Sequence, residues 1–164
     1  YDVYENDACR EVLDYVTLDE LLAQSDIVSL HVPYFPGKND KMANAEFFSK
    51  MKDGSIFLNT ARGELQDNEA ILAALKSGKL DGYGTDVFAN ETSFFFKKLA
   101  SATEISDPTV RELVQMYPKV LVTPHIGSNT DEALANMIEY SMDNFNEILT
   151  TGTTKNLVAL PEAK

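Results

Sequence analysis

The sequence predicts an α/β protein with a parallel, doubly wound sheet. Short apolar runs alternate with helical patterns along most of the 164 residues. The runs are rich in β-branched and aromatic residues, which is typical of parallel strands buried on both faces. The segments between them carry the residues that begin and end helices, so the chain alternates strand and helix.

Each of the four predicted strands is a short apolar run. The first is "DIVSLHV" and the second is "SIFLNT", while "GYGTDVF" and "KVLVTP" follow later in the chain. Their bounds are Asp26–Val32, Ser55–Thr60, Gly82–Phe88 and Lys119–Pro124. In an open parallel sheet the ligand binds beyond the carboxyl ends of the strands, so the residues that follow each run are the candidates for a site.

The helices between the strands are predicted from their caps. Thr17 and Glu20 have capping-box spacing at the start of "TLDELLAQS". A short helix in "NAEFFSKMKDG" stops at Gly54, and "DNEAILAALKSG" runs from Asp67 to Gly78. The segment from 90 to 116 is predicted to be a loop with a short helix near its end.

A long helix is predicted from about Thr130 to Thr150, with Asn129 as its N-cap and Gly152 after its end. Its apolar stripe repeats with helical period and is rich in methionine, which favours a core or subunit contact over a cofactor contact. The tail that follows is predicted to be an extended arm.

Composition excludes several classes of function. The chain has 14 Lys+Arg against 26 Asp+Glu, a formal net charge of −12, which disfavours nucleic acid and anionic membranes as partners. No apolar run reaches the ~20 residues of a membrane span. Cys9 is the only cysteine, which favours a reducing cytoplasm. Two histidines and one cysteine lie too far apart in sequence to predict a metal site.

Charged side chains follow three of the predicted strands. Arg62 comes after the second strand, Asp86 stands at the end of the third with Glu91 just beyond it, and His125 follows the fourth. Arginine binds a carboxylate through a planar fork, and a histidine paired with a carboxylate gives or takes a proton. The combination suits interconversion of a 2-oxo acid and a 2-hydroxy acid. His31 is interpreted as structural, with its imidazole satisfied by backbone.

Four ordered motifs resemble the NAD-dependent D-2-hydroxyacid dehydrogenases. They are "LHVP", "MKDGSIFLNTARGEL", "LKSGKLDGYGTDVF" followed by Glu91, and "TPHIGSNTDEA". The insertion after Glu91 is most similar to the D-lactate and D-2-hydroxyisocaproate branch. The resemblance implies that Arg62 holds the substrate carboxylate, that His125 is the general acid/base, and that Glu91 is its carboxylate partner.

The same resemblance implies a Rossmann-type sheet and a set of NAD-binding residues. Val32 and Pro33 match the wall of the adenosine pocket, and Thr60 and Ala61 match backbone contacts. Three further cofactor-binding positions complete the set. One residue lies near the nicotinamide, one makes a further contact, and one acid binds the ribose hydroxyls and excludes a 2′-phosphate. These are Asp86, Asn39 and Asp2, respectively.

One part of the family pattern is absent. No G-x-G-x-x-G turn occurs in the chain, and the first strand of a Rossmann sheet is not represented. We therefore expect the chain to be the C-terminal portion of a dehydrogenase that is a homodimer when intact, and to be inactive alone. Residues 1–129 match the distal part of the NAD-binding domain, 130–152 a helix returning toward the substrate domain, and 153–164 the arm.

A second interpretation comes from a different class of protein. The same fold serves in some relatives of the family as a nucleotide-sensing, corepressor-like binding module, which can keep a similar set of side chains. The third possibility is an inactive fragment. An enzyme assay separates these alternatives.

Overall fold

A computed structural model describes residues 1–158 of the chain. Within this range, four parallel strands form one sheet in the order β1-β2-β3-β4. All four predicted strands are therefore confirmed, with somewhat different bounds. The bounds are Ile27–Leu30 for β1, Ser55–Asn59 for β2, Leu80–Thr85 for β3 and Val120–Val122 for β4.

The carboxyl ends of the four strands lie side by side. Leu30 is the register partner of Asn59, Asn59 of Thr85, and Thr85 of Val122. These four residues are the last residues of their strands. Whatever follows each strand therefore starts from the same edge of the sheet.

The helices begin at their predicted caps except the last, and the helix predicted to stop at Gly54 ends at Lys50, because the backbone of Met51 is extended. Their bounds are Asp7–Arg10 for α1, Leu18–Gln24 for α2, Ala45–Lys50 for α3, Asn68–Ser77 for α4, Pro108–Gln115 for α5 and Asp131–Thr151 for α6. The capping box of Thr17 and Glu20 is confirmed, and so is the left-handed Gly78 after α4. The four-residue α1 was not predicted, because one turn is too short to show an apolar period.

The predicted cap of α6 is wrong by one residue. Thr130 is the N-cap, since its backbone is extended and its side chain accepts a hydrogen bond from the N–H of Ala133 at 3.1 Å. Asn129 lies in the preceding turn, where its N–H donates to the carbonyl of Ile126 at 2.9 Å. Both residue types cap helices well, so the local sequence does not distinguish them.

The core of the unit Tyr1–His125 lies on one face of the sheet. Phe57 in β2 and Tyr83 in β3 stack there, and Phe47 and Phe48 of α3 pack edge-on against Phe57. Burial raises the pKa of the Tyr83 hydroxyl, which therefore stays protonated at neutral pH.

The opposite face of the sheet is exposed in this unit. The exposed fractions are 57% for Ile27, 36% for Ile56 and 58% for Leu121. The prediction of strands buried on both faces is therefore wrong for these residues. Only alternate positions of β1 and β2 are buried, while α4 packs on β3 and α5 on β4.

The second unit begins at Ile126 and consists of α6 and the residues after it. None of the 21 residues of α6, all within the described range, is buried, and its methionine-rich stripe is exposed. Glu147 accepts hydrogen bonds from Thr154 and Lys155, which hold the start of the arm against the helix end. The rest of the predicted arm, 159–164, lies outside the described residues. No helix within 1–158 is long and apolar enough to cross a membrane.

Candidate active site

His125 and Glu91 form a hydrogen-bonded pair. Nδ1 of His125 contacts Oε1 of Glu91, and Oε2 of Glu91 accepts a hydrogen bond from the N–H of Phe88 at 3.0 Å. A carboxylate cannot donate, so Nδ1 is the donor. The pair therefore leaves Nε2 as the imidazole atom that exchanges a proton, the arrangement expected of a general acid/base.

Local backbone geometry places both members of the pair. Glu91 begins a 3₁₀ turn, Glu91–Ser93, after the left-handed Asn90. His125 follows β4 and has a φ of 51°, and its N–H donates to the carbonyl of Thr123 at 3.1 Å. Histidine is one of the few residue types enriched at positive φ. The Glu91 side chain is 21% exposed and that of His125 39%, so the carboxylate is the more shielded partner.

Arg62 lines the same cavity as this pair. The cavity has a volume of about 350 Å³. Arg62 lies three residues beyond the end of β2, and its Nη1 donates to the carbonyl of Ala61 at 2.6 Å. The lining residues are Arg62, Gly63, Glu64, Val87, Phe88, Asn90, Glu91, Thr92 and His125. The structure thus brings Arg62, Glu91 and His125 together, as the sequence predicts.

A close backbone contact joins the Arg62 turn to the loop that carries Glu91. A Cβ placed on Gly63 would lie 2.0 Å from the carbonyl carbon of Phe88 and 2.0 Å from the nitrogen of Ala89. Only glycine permits this approach, because any side chain would overlap main-chain atoms. The contact places the turn that carries Arg62 directly against the loop that carries Glu91.

A second cavity adjoins the first through Arg62. It has a volume of about 510 Å³ and includes Val32, Pro33, Thr60 and Ala61 in its lining. A third, of about 270 Å³, shares Val32 with the second and includes Asp2. Most of the predicted cofactor-binding residues therefore line cavities that adjoin one another through shared lining residues.

Asn39 lies in the loop after β1. Within the described residues, 1–158, it is not in the lining of any of these three cavities. Its Nδ2 donates to the carbonyl of Pro33 at 2.8 Å, and its Oδ1 accepts from the N–H of Phe35 at 2.7 Å. In the same loop the Tyr34 hydroxyl donates to Asp40 at 2.5 Å, which raises the pKa of Tyr34 and lowers the pKa of Asp40. Asn39 therefore shapes the loop that borders the second cavity.

Asp86 is buried directly after β3. Its carboxylate accepts a hydrogen bond from Oγ1 of Thr123 at 2.5 Å, and its N–H donates to the carbonyl of Asn59 at 3.1 Å. It is absent from the linings of the three cavities formed by residues 1–158. Its contact with the nicotinamide stays a prediction.

The interpretation of His31 needs a correction. Its Nε2 pairs with the hydroxyl of Ser29 at 2.9 Å rather than with backbone, because both side chains project from the same side of the strand end. His31 also lines both the second and the third cavity. It is thus part of the surface that a ligand in these cavities would contact.

Sequence reasoning gave no role to Asn59 or Gly63, although both follow from the same strand end. Asn59 is buried and hydrogen-bonds to the Arg62 turn, and Gly63 makes the close approach described above. The sequence shows a side-chain amide, Asn59, at the end of an apolar strand and a glycine, Gly63, directly after a charged residue. Such signals do not reveal which distant loop is contacted.

Curated proteins align with nearly the whole chain. The D-lactate dehydrogenase of Lactiplantibacillus plantarum is 44% identical over 153 residues, which cover 93% of this chain and 45% of that protein. An aromatic 2-oxoacid reductase of Clostridium sporogenes is 39% identical over 156 residues, 95% of this chain and 46% of that protein. The chain spans about half the length of the curated relatives it matches.

Solved structures show the same similarity. D-lactate dehydrogenase with NAD⁺ from Lactobacillus jensenii superposes with a TM-score of 0.85 at 35% identity, over 98% of this chain and 47% of that one. D-2-hydroxyisocaproate dehydrogenase gives a TM-score of 0.80 at 39% identity, over 94% of this chain and 46% of that one. Residues 1–127 match the family model described as "D-isomer specific 2-hydroxyacid dehydrogenase, NAD binding domain". The chain therefore belongs to the D-isomer specific 2-hydroxyacid dehydrogenase family, and its residues 1–127 match the NAD-binding domain of that family.

Proposed function

We propose that the complete gene product interconverts a 2-oxo acid and a D-2-hydroxy acid, with NAD as the hydride carrier. The observation that carries the proposal is the cavity shared by Arg62 and the hydrogen-bonded pair of His125 and Glu91. It adjoins, through Arg62, the cavity lined by the predicted cofactor-binding residues. Relatives named D-lactate dehydrogenase and aromatic 2-oxoacid reductase support this class of substrate.

In this proposal a dinucleotide would lie across the three adjoining cavities. Asp2 would accept hydrogen bonds from the ribose hydroxyls and repel a 2′-phosphate, which favours NAD over NADP. Val32 and Pro33 would contact the adenosine, and Thr60 and Ala61 would follow toward Arg62. Asn39 would reach the cofactor only by releasing one of its two loop hydrogen bonds.

The proposed chemistry divides between Arg62 and His125. NADH, when bound, would supply the hydride that reduces C2 of the 2-oxo acid and would be left as NAD⁺. The guanidinium of Arg62 binds the substrate carboxylate and polarises the ketone, and the imidazolium of His125 gives its Nε2 proton to the ketone oxygen. In the reverse direction, neutral His125 takes the hydroxyl proton. Glu91 holds the tautomer and stabilises the imidazolium that forms.

The proposal is tested by NADH oxidation with the complete gene product and a series of 2-oxo acids, including pyruvate and phenylpyruvate. Turnover with a 2-oxo acid, and formation of the D-hydroxy acid, is the expected result. Binding of NADH without turnover of any 2-oxo acid would overturn the enzymatic proposal in favour of the nucleotide-sensing module.

Replacement of Arg62 by lysine is expected to raise the KM for the 2-oxo acid. Lysine keeps the charge but loses the planar fork, and a charge-assisted hydrogen bond contributes about 1.5–3 kcal/mol, so the rise is about tenfold to a hundredfold. Steady-state kinetics with NADH at saturation measure it. Arg10→Lys is the matched control, since Arg10 lies on α1 and pairs with Glu5 outside the cavities. An unchanged KM in Arg62→Lys would exclude the proposed role.

A further inference from the structure

Asn59 holds the backbone on both sides of the Arg62 amide. It is the last residue of β2 and its exposed fraction is 0%. Its Oδ1 accepts a hydrogen bond from the N–H of Ala61 at 3.0 Å, and its Nδ2 donates to the carbonyl of Arg62 at 3.0 Å. One carboxamide therefore holds the backbone before and after the Cα atom of Arg62, from which the guanidinium side chain extends.

The Asn59 carboxamide is itself held in place. Its Nδ2 also donates to Oε1 of buried Gln66 at 2.8 Å, and Nε2 of Gln66 donates to Oδ1 of Asn68 at 3.0 Å. This chain of bonds ties the Arg62 turn to the first residue of α4. Rotation of the Asn59 side chain would leave buried polar atoms unsatisfied, which is costly.

The main chain of Asn59 connects the turn to the next strand. Its carbonyl accepts hydrogen bonds from Oγ1 of Thr85 at 3.1 Å and from the N–H of Asp86 at 3.1 Å. The residue therefore lies where the turn that carries Arg62 meets the segment that leads to Glu91. A shift at Asn59 would move both toward or away from the cavity.

We infer that Asn59 is a positioning residue, which orients Arg62 toward the carboxylate of the substrate. The inference rests on the proposed function, since it acts through the proposed role of Arg62. The residue type fits the task, because only a carboxamide both accepts from the N–H of Ala61 and donates to the carbonyl of Arg62. Aspartate keeps the acceptor and loses the donor, and serine is too short to span both groups.

A double-mutant cycle separates positioning from mere structural support. Asn59→Ser is expected to raise the KM for the 2-oxo acid between about tenfold and a hundredfold, because a displaced binding group loses affinity steeply with distance. In the Arg62→Lys background the same substitution is expected to add little, since the interaction that it disturbs is already weakened. The KM for NADH and the order of substrate preference serve as readouts that are independent of Arg62.

Ser55→Ala is the matched control. Ser55 is buried at the other end of β2, where its hydroxyl donates to the carbonyl of Lys52 at 2.7 Å. The substitution removes a buried hydrogen bond from the same strand without touching the Arg62 turn. It is expected to lower the Tm and to leave the KM for the 2-oxo acid unchanged.

Two outcomes overturn the inference without touching the proposed function. They are an unchanged KM in Asn59→Ser, and a rise of equal size in the wild-type and Arg62→Lys backgrounds. If Asn59→Ser does not fold, Asn59→Asp takes its place. The measurement is then the Kd with which oxamate, a carboxylate probe, binds the complex of the protein with NADH. An unweakened oxamate complex in that variant is then the contrary result. If Arg62→Lys alone leaves the KM unchanged, the proposed role of Arg62 fails instead. If the wild-type protein turns over no 2-oxo acid, the proposed function itself fails, so these failures are distinguishable.

Discussion

Replacement of His125 by asparagine is expected to lower kcat for 2-oxo acid reduction by about 10²- to 10⁴-fold, the usual contribution of a general acid/base. Asparagine suits the test because it tolerates the positive φ of 51° at this position. It cannot supply a proton to the ketone oxygen. Because Arg62 and the cofactor cavity are untouched, the KM values for NADH and for the 2-oxo acid should change little.

Glu91→Gln is the companion variant. Its amide oxygen accepts from Nδ1 of His125, while the bond from the N–H of Phe88 and the negative charge beside the imidazole are lost, so kcat should fall less than in His125→Asn. The double variant should be no slower than His125→Asn alone, since the two residues act as a unit. Glu69→Gln, an exposed position in the first turn of α4, is the control for the loss of a carboxylate.

Steady-state and single-turnover kinetics measure these effects, and isothermal titration with NADH verifies that the cofactor still binds. A His125→Asn protein that keeps more than about a tenth of the wild-type kcat would contradict the acid/base role. Additive losses in the double variant would show that Glu91 acts independently of the imidazole.

Much of this site was predictable because its side chains follow strand ends. Parallel strands in register bring their carboxyl ends to one edge, so Arg62 and His125 had to start from neighbouring points. The local signals for α2 and α4 were equally direct, since caps act over three or four residues. The side chains that gather at the carboxyl ends of the strands can therefore be predicted from the sequence.

Contacts between segments that are distant in the chain could not be predicted from the sequence. The exposed face at Ile56 contradicts the burial that its apolar type suggests, because burial depends on which helices pack there. The link from Asn59 to Gln66 and the close approach of Gly63 to Phe88 depend on the three-dimensional path of loops. Residue type and spacing carry no information on such a path.

Gly63→Ala is expected to disrupt the site, because the turn that carries Arg62 meets the main chain of the next loop at this residue. The new Cβ would fall 2.0 Å from the main chain at Phe88 and Ala89, which no side-chain rotation relieves. Overpacking of this kind lowers the free energy of unfolding by about 1–3 kcal/mol. The turn that carries Arg62 must then move away from the loop that carries Glu91, and a displacement of ~1 Å reduces kcat/KM by about 10²-fold.

Gly82→Ala is the matched control for this substitution. A Cβ there would meet nothing closer than the side chain of Ile56 at 3.5 Å, an ordinary contact. Urea unfolding and kcat/KM should therefore change little in Gly82→Ala and strongly in Gly63→Ala. If both variants keep wild-type stability and activity, the backbone contact between the turn and the loop does not set the geometry of the site. If only Gly63→Ala loses activity, the separation of Arg62 from the His125–Glu91 pair is set by that contact between main chains.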